Sequence, residues 1–294
     1  KAYYTDPLLA RDPVNAKIGG DIWATQKNLP EGMVTANNFG FIDGFPIKLF
    51  INDHFQGIYS FNLAKGDYGD AQAAISGEKY NDITQYNDIP EGGVKLDGSD
   101  FSMITPDEPT PEIKQSMTNL AKFIATADQA TFTSQISTYL DIDSAIDYLI
   151  FNNIVGNGDA WGKNQTLVTY DGTKWYLHPY DLDVTYGTNY DGSMTDDDLT
   201  AVLGVGTNDN KLFANINNWM SEQVKSRYTE LRSWLTPAYV IRRYHDWIEA
   251  VGLGNYKLEH DKWNNPNWQD NDFNRLKRHI YRRFKYLDQH WLKK

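Results

Sequence analysis

Not one of the 294 residues is cysteine, which excludes disulfides, thiol nucleophiles and cysteine-ligated zinc. No apolar run approaches the roughly 18 residues that a membrane-spanning helix needs. Basic residues are in deficit. Lys and Arg number 28 against 39 Asp and Glu, a net charge of −11 that argues against nucleic acid or an anionic membrane as the main partner. No 20–50-residue repeat and no low-complexity linker divide the chain. It opens Lys1-Ala2-Tyr3-Tyr4 with neither Met nor a signal pattern, and so reads as an excised fragment or a processed product.

What is present is a globular composition with enough apolar residues, 40%, for a sizeable core. Its character changes near residue 105. Upstream, apolar positions alternate through 45–51, a turn falls at Asn52-Asp53, and 55–61 reads as the partner strand. Residues 92–96 read as a further short strand. Downstream of Pro106 and Pro109 the period becomes helical. Pro111-Glu112 opens a helix to about Ala127, and Asp143 or Ser144 caps the next. A hairpin over 166–170 and 173–177 crosses Asp171-Gly172. Helices are then expected over 211–235, from Thr236-Pro237 to about Val251, and over 272–292. In the last, Phe273, Leu276, Ile280, Phe284, Leu287 and Trp291 form one apolar stripe. The fold class read from this is α+β, with a small strand-rich lobe over 1–105 and a helical lobe over 106–294.

The chemistry concentrates in Asn157-Gly158-Asp159-Ala160-Trp161-Gly162-Lys163-Asn164 and His178-Pro179-Tyr180-Asp181-Leu182-Asp183. Asp159 and Asn164 have the D-x-x-x-x-N spacing of a protein-kinase catalytic loop. There the Asp orients the incoming hydroxyl and the Asn turns its amide oxygen to a metal on the phosphates. Asp181 follows across the hairpin, where a second metal ligand belongs. Asp183, two residues on along an extended segment, would share its side, and two such carboxylates repel unless a cation lies between them. Lys95 is the candidate phosphate-positioning lysine, with Lys48 and Lys65 as alternatives and Glu112 or Glu108 as its ion-pair partner. No G-x-G-x-x-G is present, so the turn over 52–57 is the hairpin left to cover phosphates.

These segments also resemble a known family. Tyr139-Leu140-Asp141-Ile142-Asp143-Ser144-Ala145-Ile146-Asp147-Tyr148 followed by Asn157-Gly158-Asp159 is similar to the D-x-D-x-x-I-D-Y and G-N-x-D runs of the CotH kinases. His178-Pro179-Tyr180-Asp181-Leu182-Asp183 is similar to their P-W-D-x-D run, and 49–59 to their I-N-G-x-Y-x-G-x-Y hairpin. The resemblance implies a two-lobed atypical protein-kinase-like fold, ATP with Mg²⁺ or Mn²⁺, and a protein substrate, which includes the chain itself. It makes Asp159 catalytic and Asn164 and Asp181 metal ligands, with Asp183 held as a second carboxylate. One departure stands out. The family's acidic residue after the Gly-x-Tyr turn is replaced here by Asn62-Leu63-Ala64-Lys65.

Two other readings compete. A catalytically silent module would serve a larger extracellular, phage-tail or spore-coat particle. A carbohydrate-processing enzyme would use Asp159 and Asp181 as its carboxylate pair. Elsewhere the bland reading is preferred. His178 packs beside Pro179 rather than binding metal. Arg275, Lys277, Arg278, Arg282, Arg283 and Lys285 form the solvated face of an amphipathic helix. Residues 195–198 lack calcium-loop spacing. The aperiodic stretch over 187–210 reads as a long functional loop that carries autophosphorylation sites.

Overall fold

The Asp6 carboxylate accepts hydrogen bonds from the backbone N–H groups of Ala10 and Arg11, both at 2.7 Å, and so starts helix α1 (Arg11–Trp23). The computed structural model that places it describes residues 1–206, 209–264 and 272–292. A short α2 (Glu31–Thr35) leads to strands β1 (Gly44–Ile51) and β2 (His54–Asn62), which pair antiparallel as the alternation required. The far edge of β2 is also occupied, because Lys1 and Ser60 exchange both backbone hydrogen bonds, at 2.9 and 3.0 Å.

β3 (Ala73–Gly77) and β4 (Phe101–Thr105) belong to a different sheet. Its order is β4-β3-β5-β6, with β5 (Gln165–Thr169) and β6 (Trp175–Pro179) supplied by the second half of the chain. The sheet therefore joins residues from both sides of position 105. Residues 92–96 are a turn rather than a strand: the Asp100 carboxylate accepts from Lys95 N–H at 2.8 Å, a local bond that competes with ladder pairing.

The helices follow their sequence signals with two corrections. α3 (Pro111–Thr126) is capped by Thr110, and α4 (Gln129–Gln135) by Asp128. α5 (Ile142–Val155) is capped by Asp141, whose side chain accepts from Ser144 N–H, so the cap lies ahead of the expected Asp143 or Ser144. It ends on Gly156 at φ 64°, a left-handed stop that glycine adopts without steric cost. The expected single helix over 211–235 is two, α6 (Lys211–Trp219) and α7 (Ser221–Arg232), because Met220 leaves helical geometry at ψ 28°. α8 (Pro237–Val251) starts at the Thr236 cap, α9 (Leu253–Lys262) follows Gly252, and α10 (Asp272–Leu287) continues to Leu292 as a wider turn. In the expected α10 stripe Leu276, Ile280, Phe284, Leu287 and Trp291 are buried, and Phe273 is half-buried against the core. At about 1.5–3 kcal/mol per large apolar side chain, that burial outweighs intrinsic propensity. One continuous core runs from Tyr3 through α5 and the sheet to Trp291. The architecture is α+β and consistent with a two-lobed kinase-like fold.

Candidate active site

One end of the four-stranded sheet carries the candidate residues, and the strand register says why. Phe101 pairs with Gly77, Gly77 with Gln165, and Gln165 with Pro179. Just beyond this row come Glu78, Asn164 and the Tyr180-Asp181 pair. Asn164 and Asp181 both adopt left-handed backbone, each at φ 55°. That region is unusual for residues other than glycine and least costly for Asn and Asp, and such strain gathers at functional sites. Asn164 is nearly buried, and its N–H donates to Gly77 O at 2.8 Å.

Asp159 sits in the turn between α5 and β5. The Asn157 side chain accepts from its N–H at 3.1 Å, and Asn157 in turn donates to Asn152 at 3.0 Å, so the turn is anchored to α5. The Asp159 carboxylate pairs with Lys163 Nζ at 2.7 Å. Tyr80, on the segment leaving β3, donates from its hydroxyl to Gly158 O at 3.0 Å. Burial raises its phenol pKa, and the nearby Asp159 charge raises it further.

At Asp181 the structure adds residues that no local spacing announced. Lys1 Nζ lies 2.7 Å from Asp181 Oδ1 and 3.2 Å from Asp12 Oδ2. Asp12, in the first turn of α1, also accepts from the Tyr3 hydroxyl at 2.8 Å and from Leu182 N–H at 2.9 Å. Burial works against the Lys1 charge, but Asp12 and Asp181 outweigh it and keep the ammonium protonated. Asp183 belongs to the same charge cluster. Burial first and Asp181 second push its carboxyl up to about 6. Asp183 does not come alongside Asp181 by way of an extended strand, because the left-handed turn at Asp181 breaks that alternation.

The small-lobe candidates separate. Phe101 N–H donates to Lys95 O, which puts exposed Lys95 at the β4 edge of the row. At roughly 4.8 Å per strand that is about 14 Å across the sheet from Asp181. Glu112 is exposed at the opposite end of the sheet, beyond Thr105 at the start of α3, so the expected Lys95–Glu112 ion pair does not form. Lys65 is better placed. Its Nζ stands 4.0 Å over the Tyr180 ring and 3.5 Å from Glu78 Oε1, a lysine–carboxylate pair beside both Asn164 and Asp181. Lys48 is exposed on β1. The β1–β2 hairpin leans on α9: Glu259 accepts from Ile58 N–H at 2.6 Å, and Trp263 donates to Gln56 O at 2.7 Å.

Two other expectations meet different outcomes. His178 is buried among Trp23, Phe41 and Tyr68, and its ring nitrogens lie 3.0 and 3.1 Å from Pro179 O and Phe39 O. It packs rather than binds metal, and burial pulls its pKa down to about 4. The basic face of α10, in contrast, is not simply solvated. Arg283 is fully buried and donates to the carbonyls of Asn153, Asp198 and Ala201, while His279 meets both Asp198 carboxylate oxygens at 2.8 and 2.9 Å. Arg282 pairs with Asp196 at 2.8 Å. The loop that begins at residue 187 is thereby fastened to α10.

The family model for CotH kinase protein matches residues 1–287, and the chain belongs to that family. A comparison with curated proteins found no match. Membership agrees with the resemblance and extends it to the α1 segment that holds Asp12.

Proposed function

We propose that this CotH-family chain transfers a phosphoryl group from ATP, with Mg²⁺ or Mn²⁺, to a protein hydroxyl. The carrying observation is the cation already accommodated beside the catalytic-loop signature: an ammonium held between Asp181 and Asp12, at the sheet end where Asn164 also turns. Oxygen donors of this kind are what a hard divalent cation takes. Asp181, Asn164 and Asp183 would hold it, and the bound metal nucleotide would supply the transferable group and neutralise its charge.

The chain's own residues do the rest. Lys163 holds one oxygen of the Asp159 carboxylate and the Asn157 side chain holds the Asp159 backbone, so that the remaining oxygen accepts the hydrogen of the incoming hydroxyl. Lys65, steadied by Glu78 and Tyr180, offers positive charge to the phosphates more directly than Lys95 does. The left-handed turns at Asn164 and Asp181 set both residues at the same end of the sheet, and positioning of this kind is what phosphoryl transfer chiefly requires. The acceptor can belong to another protein or to the chain itself, with hydroxyls such as Ser193, Thr195 and Thr200 in the fastened loop.

One observation favours a second reading, a catalytically silent module of a larger particle such as a phage tail or spore coat. Lys163 already pairs with Asp159, the carboxylate that would have to receive the acceptor hydroxyl. Calorimetry with Mn²⁺ and ATP, followed by radiolabel transfer, separates the two. Wild type should bind. Asp181→Asn should lose metal-dependent binding with its fold intact. Asp159→Ala should keep binding and lose transfer by about 10²-fold or more, the scale of a catalytic base. Binding without transfer under either metal supports the silent module, and no binding at all removes the kinase reading.

A further inference from the structure

Sulfur is scarce in this chain and all of it is methionine: five Met and no Cys. Four of the five serve the apolar core. Met33, Met117 and Met220 are buried in it, and Met103 packs half-buried against it. Met194 belongs to neither apolar cluster. It lies half-buried in the loop that α10 fastens, where its sulfur meets polar groups. Thr188 faces Met194 across a short antiparallel bridge, and its hydroxyl donates to Met194 Sδ at 3.4 Å. Arg275, near the start of α10, donates from Nη1 to the same sulfur at 2.7 Å and from Nη2 to Thr195 O at 3.3 Å.

A thioether is a weak acceptor, poorly matched to a guanidinium. Other arginines of α10 do better: Arg282 meets a carboxylate, and Arg283 meets carbonyls. Burial lowers the Arg275 pKa, and the nearby carboxylates, Asp272 foremost, do not offset it. One oxygen placed on the sulfur would give both donors a strong acceptor. We propose that Met194 is a reversible oxidation site, whose sulfoxide oxygen takes over the Arg275 and Thr188 donors and tightens the loop against α10. The oxidant is hydrogen peroxide. A sulfur lone pair attacks one peroxide oxygen, the O–O bond breaks, and the departing hydroxide takes the proton of the transferred oxygen to leave as water. Sulfur loses two electrons and the peroxide gains them. Oxidation usually loosens a methionine contact, because it puts a polar oxygen among apolar groups. At Met194 the sulfur already faces donors outside the core, so the effect has the opposite sign. The inference stands independently of phosphoryl transfer.

The test treats wild type, Met194→Leu and Arg275→Leu with dilute hydrogen peroxide, followed by peptide mass spectrometry and amide hydrogen exchange. In wild type, sulfoxide should form at Met194 while Met33, Met117 and Met220 stay reduced. Exchange across 187–198 should then slow about tenfold, the scale of a hydrogen bond to a charged donor. Methionine sulfoxide reductase with a thiol should restore the original rate. Peroxide should leave that exchange unchanged in Met194→Leu, a conservative variant that keeps Met103 and so separates the two half-buried sulfurs. In Arg275→Leu the sulfoxide should form without slowing exchange. Faster exchange across 187–198 after oxidation of wild type, an equal slowing in Arg275→Leu, or oxidation of Met117 ahead of Met194 would each overturn the inference.

Discussion

Two charged clusters flank the hairpin of β5 and β6, and they are built on opposite terms. At the sheet end the carboxylates of Asp159 and Asp181 meet lysines, each through one contact of 2.7 Å, with the side chains partly open to water. At the 187–203 loop, Arg283 spends its guanidinium on three carbonyls and the Asn153 amide oxygen, while His279 takes both oxygens of Asp198, all out of solvent. Lysine is a point charge on a flexible stem; buried Arg283 is a planar fork with four of its five donors committed. The first arrangement leaves its charges within reach of solvent. The second holds the backbone beside it in one place.

The strongest way to break the comparison is Arg283→Ala. Burial pushes the Arg283 pKa down to about 10, yet within the physiological range it stays charged and engaged. Its removal takes the donor from the buried Asp198 and Ala201 carbonyls, while Asn153 O and Oδ1 keep the Gly156 and Leu203 N–H groups, and urea unfolding should show a loss of about 3–5 kcal/mol. Arg283→Lys should recover little of it. Loss below 1 kcal/mol would mean that the loop is not fastened there.

His178 sharpens the contrast from between the two clusters, since it is buried with no counter-charge. Its folded pKa of about 4 lies below the unfolded value of roughly 6.5, so the unfolded chain binds the extra proton first. This contribution is fully present above pH 6.5 and is lost as pH falls toward 4, a loss of about 3 kcal/mol at pH 4. His178→Gln cannot take up a proton and should unfold with a correspondingly shallower acid dependence. Identical slopes for the two proteins between pH 7 and 4 would show that His178 is reached by solvent.

Much of this was legible in the sequence because it is local. The hairpins, the helix starts at Pro111 and Thr236-Pro237 and the α10 stripe depend on residues within a turn or two, and each formed as expected. The D-x-x-x-x-N spacing and Asp181 could be placed together because a single hairpin separates them. Misreadings arose where a side chain overrode a pattern. Asp100 bent the 92–96 segment into a turn, and Met220 divided a helix whose apolar period runs through it. Asp12 and Lys1 escaped notice, and Lys65 ranked below Lys95, for a different reason. They reach Asp181 and Tyr180 only through tertiary packing of α1 and of the segment after β2, which no spacing rule encodes. Arg283 looked like its neighbours on a basic face until the loop folded over it.

The smallest expected effect bears most directly on whether the sheet end is an exchangeable site. Lys1 is 39% exposed at its side chain and contacts Asp181 and Asp12 at once. If its ammonium stands where a divalent cation enters, loading must first displace it, and part of the metal's affinity is lost to that competition. Lys1→Met keeps the stem and removes the charge. Asp12, Asp181 and Asp183 would then repel without a cation among them, so the variant should melt lower than wild type in chelator. Added Mn²⁺ should raise its midpoint by more than it raises that of wild type, since a ligand of the folded state stabilises in proportion to its affinity. Free Mn²⁺ counted by electron paramagnetic resonance should report affinity about tenfold tighter, or 1.4 kcal/mol. Weaker Mn²⁺ binding by Lys1→Met would reverse the assignment, because it would make Lys1 a residue that positions the metal site rather than one that yields it.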